Sequence, residues 1–112
     1  MAKIRWPFGP ADSVALTATG AQAIAIENDM TIIDGVSVVA TGNRTLNLTP
    51  SADLKAGARV LVKSKTTATE TTIFGTGCQA PTITGVAGKT KTCELIYDGT
   101  NFVAQGTAVQ LD

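Results

Sequence analysis

Alternation of apolar and polar residues with a period of two is the feature that most constrains the fold of this chain. It recurs in residues 22–26, 36–38, 45–49 and 58–63. Because a β-strand places successive side chains on opposite faces, such segments predict half-buried strands. Threonine crowds residues 66–72, and its β-branched side chain suits a pleated surface better than a helix. The chain is therefore predicted to be all-β.

Turn residues separate these segments at short intervals. Asp34-Gly35, Gly42-Asn43 and Asp98-Gly99 each follow or precede a strand-like run, and they predict at least three hairpins. About eight strands at roughly ten-residue spacing are typical of a small antiparallel β-sandwich or barrel. One helical turn is expected over residues 51–56. Parallel sheets connected by helices are excluded, and no repeat of solenoid length is found.

The chain length and composition predict one domain that completes itself by oligomerisation. Its 112 residues leave room for a single core, which we expect over residues 13–112. Residues 1–12 are predicted to be an extended N-terminal arm, since Pro7, Gly9 and Pro10 interrupt any strand. Apolar residues make up 44% of the chain but aromatic residues only 4%, so the core lacks bulky side chains. Small β proteins of this kind commonly gain burial from partner subunits.

The side chain that enzymes most often use as a general base is missing from this sequence. It contains no histidine, which removes the usual general base and the commonest metal ligand. Asp34 and Asp98 have a sufficient reason to occupy turns. Cys78 and Cys93 lack the spacing of a zinc site, and whether they pair stays open between two free thiols and a disulfide. We therefore expect no enzymatic activity, no cofactor and no metal.

Charge and hydropathy narrow the range of partners. Nine basic residues balance nine acidic ones, so no net field attracts nucleic acid or an anionic membrane. No apolar run has the length of a signal peptide or a membrane span, so synthesis in the cytoplasm is expected. Two lysine pairs, Lys63 with Lys65 and Lys89 with Lys91, keep open a single-strand nucleic-acid-binding barrel as a hypothesis.

The last third of the chain carries a recognisable pattern. Residues 91–104 combine an apolar strand with Tyr-Asp-Gly-Thr-Asn and an aromatic residue, and residues 42–49 and 54–62 add similar strands upstream. Over residues 30–106 the chain resembles small β domains of bacteriophage virion proteins, namely head decoration or head-fibre proteins and tail-fibre modules. The resemblance implies a hairpin at Asp98-Gly99 and a homotrimer packed around a threefold axis. Phe102 departs from the pattern, because many similar domains carry Trp there.

Two sets of residues are predicted to make protein contacts. Apolar side chains on two strands are expected at the subunit interface: Val60, Val62, Leu95 and Tyr97. The arm offers apolar anchors and cations to an acidic capsid surface: Lys3, Ile4, Arg5, Trp6 and Phe8.

These observations lead to one principal functional hypothesis. The chain is expected to be a capsid decoration (cement) protein that binds the major capsid protein on the assembled head and stabilises the shell, without contacting nucleic acid or membrane. It would be made in the host cytoplasm and located on the capsid surface of the virion. The alternatives are the nucleic-acid-binding barrel and a receptor- or carbohydrate-binding module using Asn43, Gln79 and Asn101.

Overall fold

Eleven β-strands make up the regular structure of residues 9–112. The computed structural model describes residues 9–112, and this part contains no helix. The strands, in chain order, are β1 (Asp12–Ala15), β2 (Gly20–Ile26), β3 (Met30–Ala40), β4 (Arg44–Pro50), β5 (Arg59–Thr66), β6 (Thr71–Phe74), β7 (Cys78–Gln79), β8 (Ile83–Thr84), β9 (Thr90–Tyr97), β10 (Phe102–Ala104) and β11 (Val109–Gln110).

The first six strands alternate between two sheets. β1, β3 and β5 pair in parallel in a seven-stranded sheet, and β2, β4 and β6 pair in parallel in a four-stranded sheet. The chain thus winds as a flattened coil of three turns, and each strand pairs with the strand two places later. The turns differ in length, since Asp12 pairs with Thr31 but Thr31 pairs with Val60. Unequal turns explain why the sequence shows no repeat.

Antiparallel strands close the C-terminal end of this coil. β9 pairs antiparallel with β5, and both β10 and β11 pair antiparallel with β9. β7 adds a short parallel pair to β10. In the four-stranded sheet, β8 pairs antiparallel with β6. The described chain therefore has one end of the coil covered by reversed strands.

The core lies between the two sheets. Alternate side chains of both sheets point inward and form a single apolar cluster: Leu16, Ile24, Ile26, Ile33, Leu46, Leu48, Leu54, Ala58, Val60, Val62, Phe74, Ile83, Cys93, Leu95, Tyr97 and Phe102. Its aromatic side chains include Tyr97 and Phe102, whose ring centroids are 4.9 Å apart. The all-β prediction is confirmed, and the two packed sheets are compatible with a small β-sandwich, one of the two predicted architectures. The alternation of burial along β4 and β5 has the expected period of two.

The antiparallel prediction is wrong for the coil. Five of the nine strand pairs in residues 9–112 are parallel. The sequence excludes parallel sheets that are connected by helices, since helices usually make the crossover between parallel strands. Here a strand of the opposite sheet makes that crossover, so no helix is needed.

Two predicted hairpins are wrong for the same reason. Asp34-Gly35 lies inside β3, where both residues still pair with β5, and the register shifts only after Gly35. The Asp34 carboxylate accepts hydrogen bonds from Val36 N (2.8 Å) and Ser37 Oγ (2.6 Å), which stabilises this irregularity rather than a reversal. Gly42-Asn43 joins β3 to β4, which belong to different sheets, so it is a corner of the coil.

The third hairpin is confirmed. Asp98-Gly99 connects the antiparallel strands β9 and β10, and Gly99 has φ of 100°, which glycine adopts without strain. The predicted helical turn over residues 51–56 is a hydrogen-bonded turn instead. Leu54 N donates to Ser51 O at 3.1 Å, and Gly57, with φ of 101°, ends it as expected.

Candidate interaction surface

The four predicted interface side chains lie in the core of one chain. Val60 and Val62 on β5 and Leu95 on β9 are 0% exposed, and Tyr97 is 8% exposed. They therefore offer no surface to a second copy, and the interface prediction has no support at these positions. The strand segments were identified correctly, but in each strand the other face is accessible.

The accessible face of the seven-stranded sheet is charged. Leu61 on β5 and Ile96 on β9 are half-buried there, close to cations and carboxylates on the same strands. Asp34 lies directly opposite Lys63, and Leu61 lies opposite Glu94. This face therefore mixes apolar side chains with both signs of charge.

Within residues 9–112, the accessible face of the four-stranded sheet contains no charged residue. We call it the flat face and define it by the outward side chains of β2, β4, β6 and β8: Ala21, Ala23, Ala25, Thr45, Asn47, Thr49, Thr71, Ile73 and Thr84. The one charged residue on these four strands, Arg44, points inward and is 1% exposed. Ala21, Thr45 and Ile73 form one row across three strands, and Ile73 is 37% exposed at its end.

The side chain of Asn47 lies along the flat face and is held there by a hydrogen bond. Its Oδ1 accepts a hydrogen bond from Thr76 N at 2.8 Å, which holds the side chain across the neighbouring strand. A Cβ added at Gly75 would collide with that oxygen, so glycine is required beneath it. The Asn47 amide therefore bonds within its own sheet, beside the small side chains of Ala23, Thr45 and Thr49.

Arg44 connects the four-stranded sheet to the seven-stranded sheet by hydrogen bonds. From β4 its guanidinium donates to Val38 O (2.9 Å), Gly35 O (3.2 Å) and Ser64 Oγ (2.7 Å) across the core. Burial lowers the pKa of this guanidinium, and the nearby carboxylate of Glu70 opposes that effect. A Cβ at Gly35 would lie 2.9 Å from Arg44 Nη2 and 2.6 Å from Lys63 O, so the glycine makes room for the cation.

The perturbed carboxylates have local explanations. Hydrogen bonds from Ser37 and Val36 lower the pKa of Asp34. Backbone hydrogen bonds from Asn101 and Thr100 lower the pKa of Asp98 within the hairpin. Each acid stabilises its own bend, which agrees with the structural role predicted for them.

The four lysines of the nucleic-acid hypothesis do not share one face. Lys63 and Lys65 point outward from β5, opposite Thr92 and Thr90. Lys91 pairs with the buried Ser64, has the inward orientation, and donates from Nζ to Thr84 O at 2.7 Å. A continuous basic track would need all four on the same side.

The three residues of the carbohydrate hypothesis are also separated. Gln79 on β7 and Asn101 in the β9–β10 hairpin lie near each other, since β7 pairs with β10. Asn43 precedes β4, whereas the far end of β4 contacts the start of β7 through Leu48 and Gly77. Asn43 Oδ1 also accepts a hydrogen bond from Thr71 N at 3.0 Å, which stabilises the corner between β3 and β4.

Both cysteines are free. Cys93 is buried on β9, and Cys78 is half-buried on β7. Strand β10 lies between β7 and β9, so the two thiols are held apart. Burial raises the pKa of both thiols.

Several predictions concern residues that the structure does not describe. Lys3, Ile4, Arg5, Trp6 and Phe8 lie outside residues 9–112, and so does most of the predicted arm. The last residue assigned to the arm, Asp12, is the first residue of β1. Within the described range, no three His, Cys, Asp or Glu side chains group as metal ligands. That range also holds no helix with the length and apolarity needed to cross a bilayer.

Comparison with protein-family models, curated proteins and solved structures finds no match for this chain. The flat face was not anticipated from the sequence. The alternation of Gln22, Ile24 and Ile26 with alanine carried the signal, because it marks the alanines as outward-facing. Only the topology brings those alanines beside Thr45, Asn47 and Thr49.

Proposed function

We propose that this chain is a structural protein of a phage virion, a capsid decoration protein that self-associates through the flat face and binds the assembled head. No reaction is involved. The flat face carries this proposal, because interface cores are depleted of charge whereas ordinary protein surface is not. The resemblance over residues 30–106 adds the virion location and the homotrimer.

Symmetry strengthens the choice of the flat face over the other sheet. Around a symmetry axis, equivalent side chains of different copies approach one another, so any charge near the axis meets its own kind. Among residues 9–112 the flat face has none, whereas the outer face of the seven-stranded sheet carries Asp34, Lys63, Lys65 and Glu94. The charged face is then left for the shell, where mixed charge contributes specificity.

The oligomer is tested with matched threonine variants. We expect the purified chain to be a trimer by light scattering coupled to size exclusion. Thr45→Glu, at the centre of the flat face, should dissociate it, because three copies would place carboxylates close to one axis. Thr92→Glu, at the equivalent outward position of β9, should leave the trimer intact. A monomeric wild-type chain, or equal behaviour of both variants, would contradict the flat-face interface.

Binding to the head is tested separately. The folded chain should co-sediment with assembled heads of the phage that encodes it and not with unassembled capsid protein, because selective binding to the assembled state is what stabilises a shell. Reversing the charges of Lys63 and Lys65 should weaken co-sedimentation while the trimer remains. A chain absent from purified virions would refute the decoration role.

A further inference from the structure

β11 and the residue after it carry the two most exposed large apolar side chains of the described part of the chain. Val109 is 60% exposed and Leu111 is 59% exposed, whereas the other exposed large apolar side chains there reach at most 41%. Both point to the outer side of the seven-stranded sheet, because Val109 pairs with Thr92 on β9 and Leu111 N donates to Thr90 O at 2.9 Å. Exposed apolar side chains that lie next to one another, unlike single ones scattered over a surface, indicate a contact site.

β11 is an edge strand without the usual protection. Within residues 9–112 it pairs only with β9, whereas β10, which lies along the same edge of β9, also pairs with β7. Because Leu111 N bonds to β9, the backbone N–H and C=O of Gln110 face the open edge. Natural proteins protect such edges with lysine or proline, and residues 109–111 contain neither. This segment would favour non-specific association unless a partner covers it.

Two rows of side chains run from this edge across the outer side of the sheet. Each row places an apolar residue on the β11 segment, a threonine on β9 and a lysine on β5: Val109, Thr92 and Lys63 in the first row, and Leu111, Thr90 and Lys65 in the second. Adjacent strands are about 4.8 Å apart, so each lysine begins about 10 Å from the apolar residue of its row. Alternate residues of a strand are about 7 Å apart, which is the spacing of the two rows. We call these side chains the edge patch.

The cations of the edge patch differ in their surroundings. Lys63 lies opposite Asp34 on β3. Lys65 lies opposite Thr90, and the pairing of β5 with β3 is interrupted beside it, so in the described part of the chain no carboxylate lies directly opposite Lys65. Asp112 is held on the other side of β9, where its Oδ1 accepts a hydrogen bond from Thr90 N at 2.8 Å. The Lys65 end of the patch therefore offers a cation to an acidic partner.

The edge patch stays accessible when copies associate through the flat face. The two surfaces belong to different sheets and face outward on opposite sides of the core. Each copy in an oligomer therefore presents its own patch. A contact as small as this one binds weakly by itself, and several patches on one oligomer gain avidity only where their binding sites are arrayed at the right spacing. Such an array exists on an assembled shell and not on a single capsid subunit.

We propose that the edge patch is the contact with the shell, and that its partner is a surface segment of the capsid protein that combines apolar side chains with carboxylates. This inference rests on the proposed function and adds the position of the contact and the chemistry of its partner. The apolar side chains of the partner segment pack on Val109 and Leu111. Its carboxylates, about 10 Å away, pair with Lys63 and Lys65.

Matched serine variants test the apolar half of the patch. Binding is measured by co-sedimentation with assembled heads of the phage that encodes the chain. Val109→Ser and Leu111→Ser should each weaken binding about tenfold, as the loss of an interface anchor does. Val38→Ser removes an exposed valine outside the patch and should bind within about twofold of wild type. Because all three side chains are exposed, the oligomeric state and the urea midpoint should not change.

Charge reversals test the other half. Lys65→Glu should weaken binding to heads about tenfold, because it places a carboxylate against those of the partner. Lys55→Glu changes the net charge equally at an exposed turn residue outside the patch, and it should bind like wild type. If Lys55→Glu weakened binding as much as Lys65→Glu, binding would follow net charge rather than the patch, and the inference would be overturned.

The same measurements separate the edge patch from the decoration role. If the wild-type chain binds heads and the Val109→Ser, Leu111→Ser and Lys65→Glu variants bind equally well, the shell contact lies elsewhere and the edge patch alone is refuted. If the wild-type chain does not bind heads, the decoration role is refuted and the edge patch with it.

Discussion

Arg44 shows how one polar side chain can hold two sheets together. Its guanidinium is buried and paired with carbonyl and hydroxyl oxygens of the opposite sheet, in addition to a 3.2 Å bond to Lys65 O. Ser64 Oγ, which accepts from Arg44, lies 2.8 Å from Thr72 Oγ1, so the network returns to the four-stranded sheet. A planar group with five donors is suited to several acceptors spread around it.

Replacing Arg44 by Lys should destabilise the protein. One ammonium group cannot reach the carbonyls of Gly35, Val38 and Lys65 together, and each buried acceptor left without a donor is costly. We expect a loss of about 3 kcal/mol in the free energy of unfolding, measured by urea denaturation. Arg59→Lys, at an exposed position, is the control and should change stability by less than about 0.5 kcal/mol. Equal stabilities of the two variants would show that Arg44 is not the link between the sheets.

The thiols should differ in reactivity according to their burial. Both have raised pKa values, so little thiolate forms at neutral pH, and Cys93 is only 5% exposed. We expect iodoacetamide to modify Cys78 slowly and Cys93 more slowly still, with rapid modification of both in urea. Peptide mass spectrometry assigns each rate. A Cys78–Cys93 disulfide, or faster labelling of Cys93, would contradict the described positions.

The β9–β10 hairpin depends on an ionised Asp98. Its carboxylate accepts from Thr100 N (2.8 Å) and Asn101 N (2.7 Å), which holds its pKa below the ordinary value of 3.8. A group with a lowered folded-state pKa stabilises the fold above its unfolded pKa and loses that contribution as the pH falls through the folded value. The hairpin should therefore weaken in acid.

The contribution of Asp98 is measured as the difference in unfolding free energy between wild type and Asp98→Ala across pH. The difference in unfolding free energy between them should be constant from neutral pH downward and should shrink below pH 3.8. Taking the difference removes the titration of the other acids, whose shifts are common to both proteins. A difference that grows in acid would mean that the carboxylate does not stabilise the turn in its ionised form.

The β9–β10 hairpin is a feature that could be predicted from the sequence. Asp98-Gly99 is a local signal, because both strands and the turn lie within a few residues, and it was read correctly. Asp34-Gly35 has the same residues, yet β3 continues through them because β5 pairs alongside. That partner lies 29 residues away in the chain, as Asp34 and Lys63 show, so no local pattern identifies it. Strand content was therefore predictable, and the pairing was not.

For the flat face too, the strands could be predicted from the sequence but their pairing could not. Alternation marks Ala21, Ala23 and Ala25 as one face of a strand and Thr45 and Thr49 as one face of another. That the two rows are neighbours depends on parallel pairing of β2 with β4, which requires the coil. The predicted interface residues are buried within one chain for a related reason, since a period of two does not say which face of a strand is covered.

The winding of the chain joins the two sheets covalently at every turn of the coil. Each of β1 to β6 is followed by a strand of the opposite sheet. Removing one sheet would leave the other as separate segments tethered by unfolded loops, with its inner face exposed to water. The loss of burial would then be shared by both layers.

This architecture predicts that the two sheets unfold together. In native-state hydrogen exchange, amides of β4 and β5, which belong to different sheets, should exchange through openings of equal free energy, matching the value from urea denaturation. Openings that remove one turn at a time are compatible with the coil, because a turn contains a strand of each sheet. What the coil does not permit is the loss of one layer alone. If the amides of β2, β4 and β6 exchanged as a group at least tenfold faster than those of β3 and β5, a gap of about 1.4 kcal/mol, the two layers would be independent and the coil would not describe this protein.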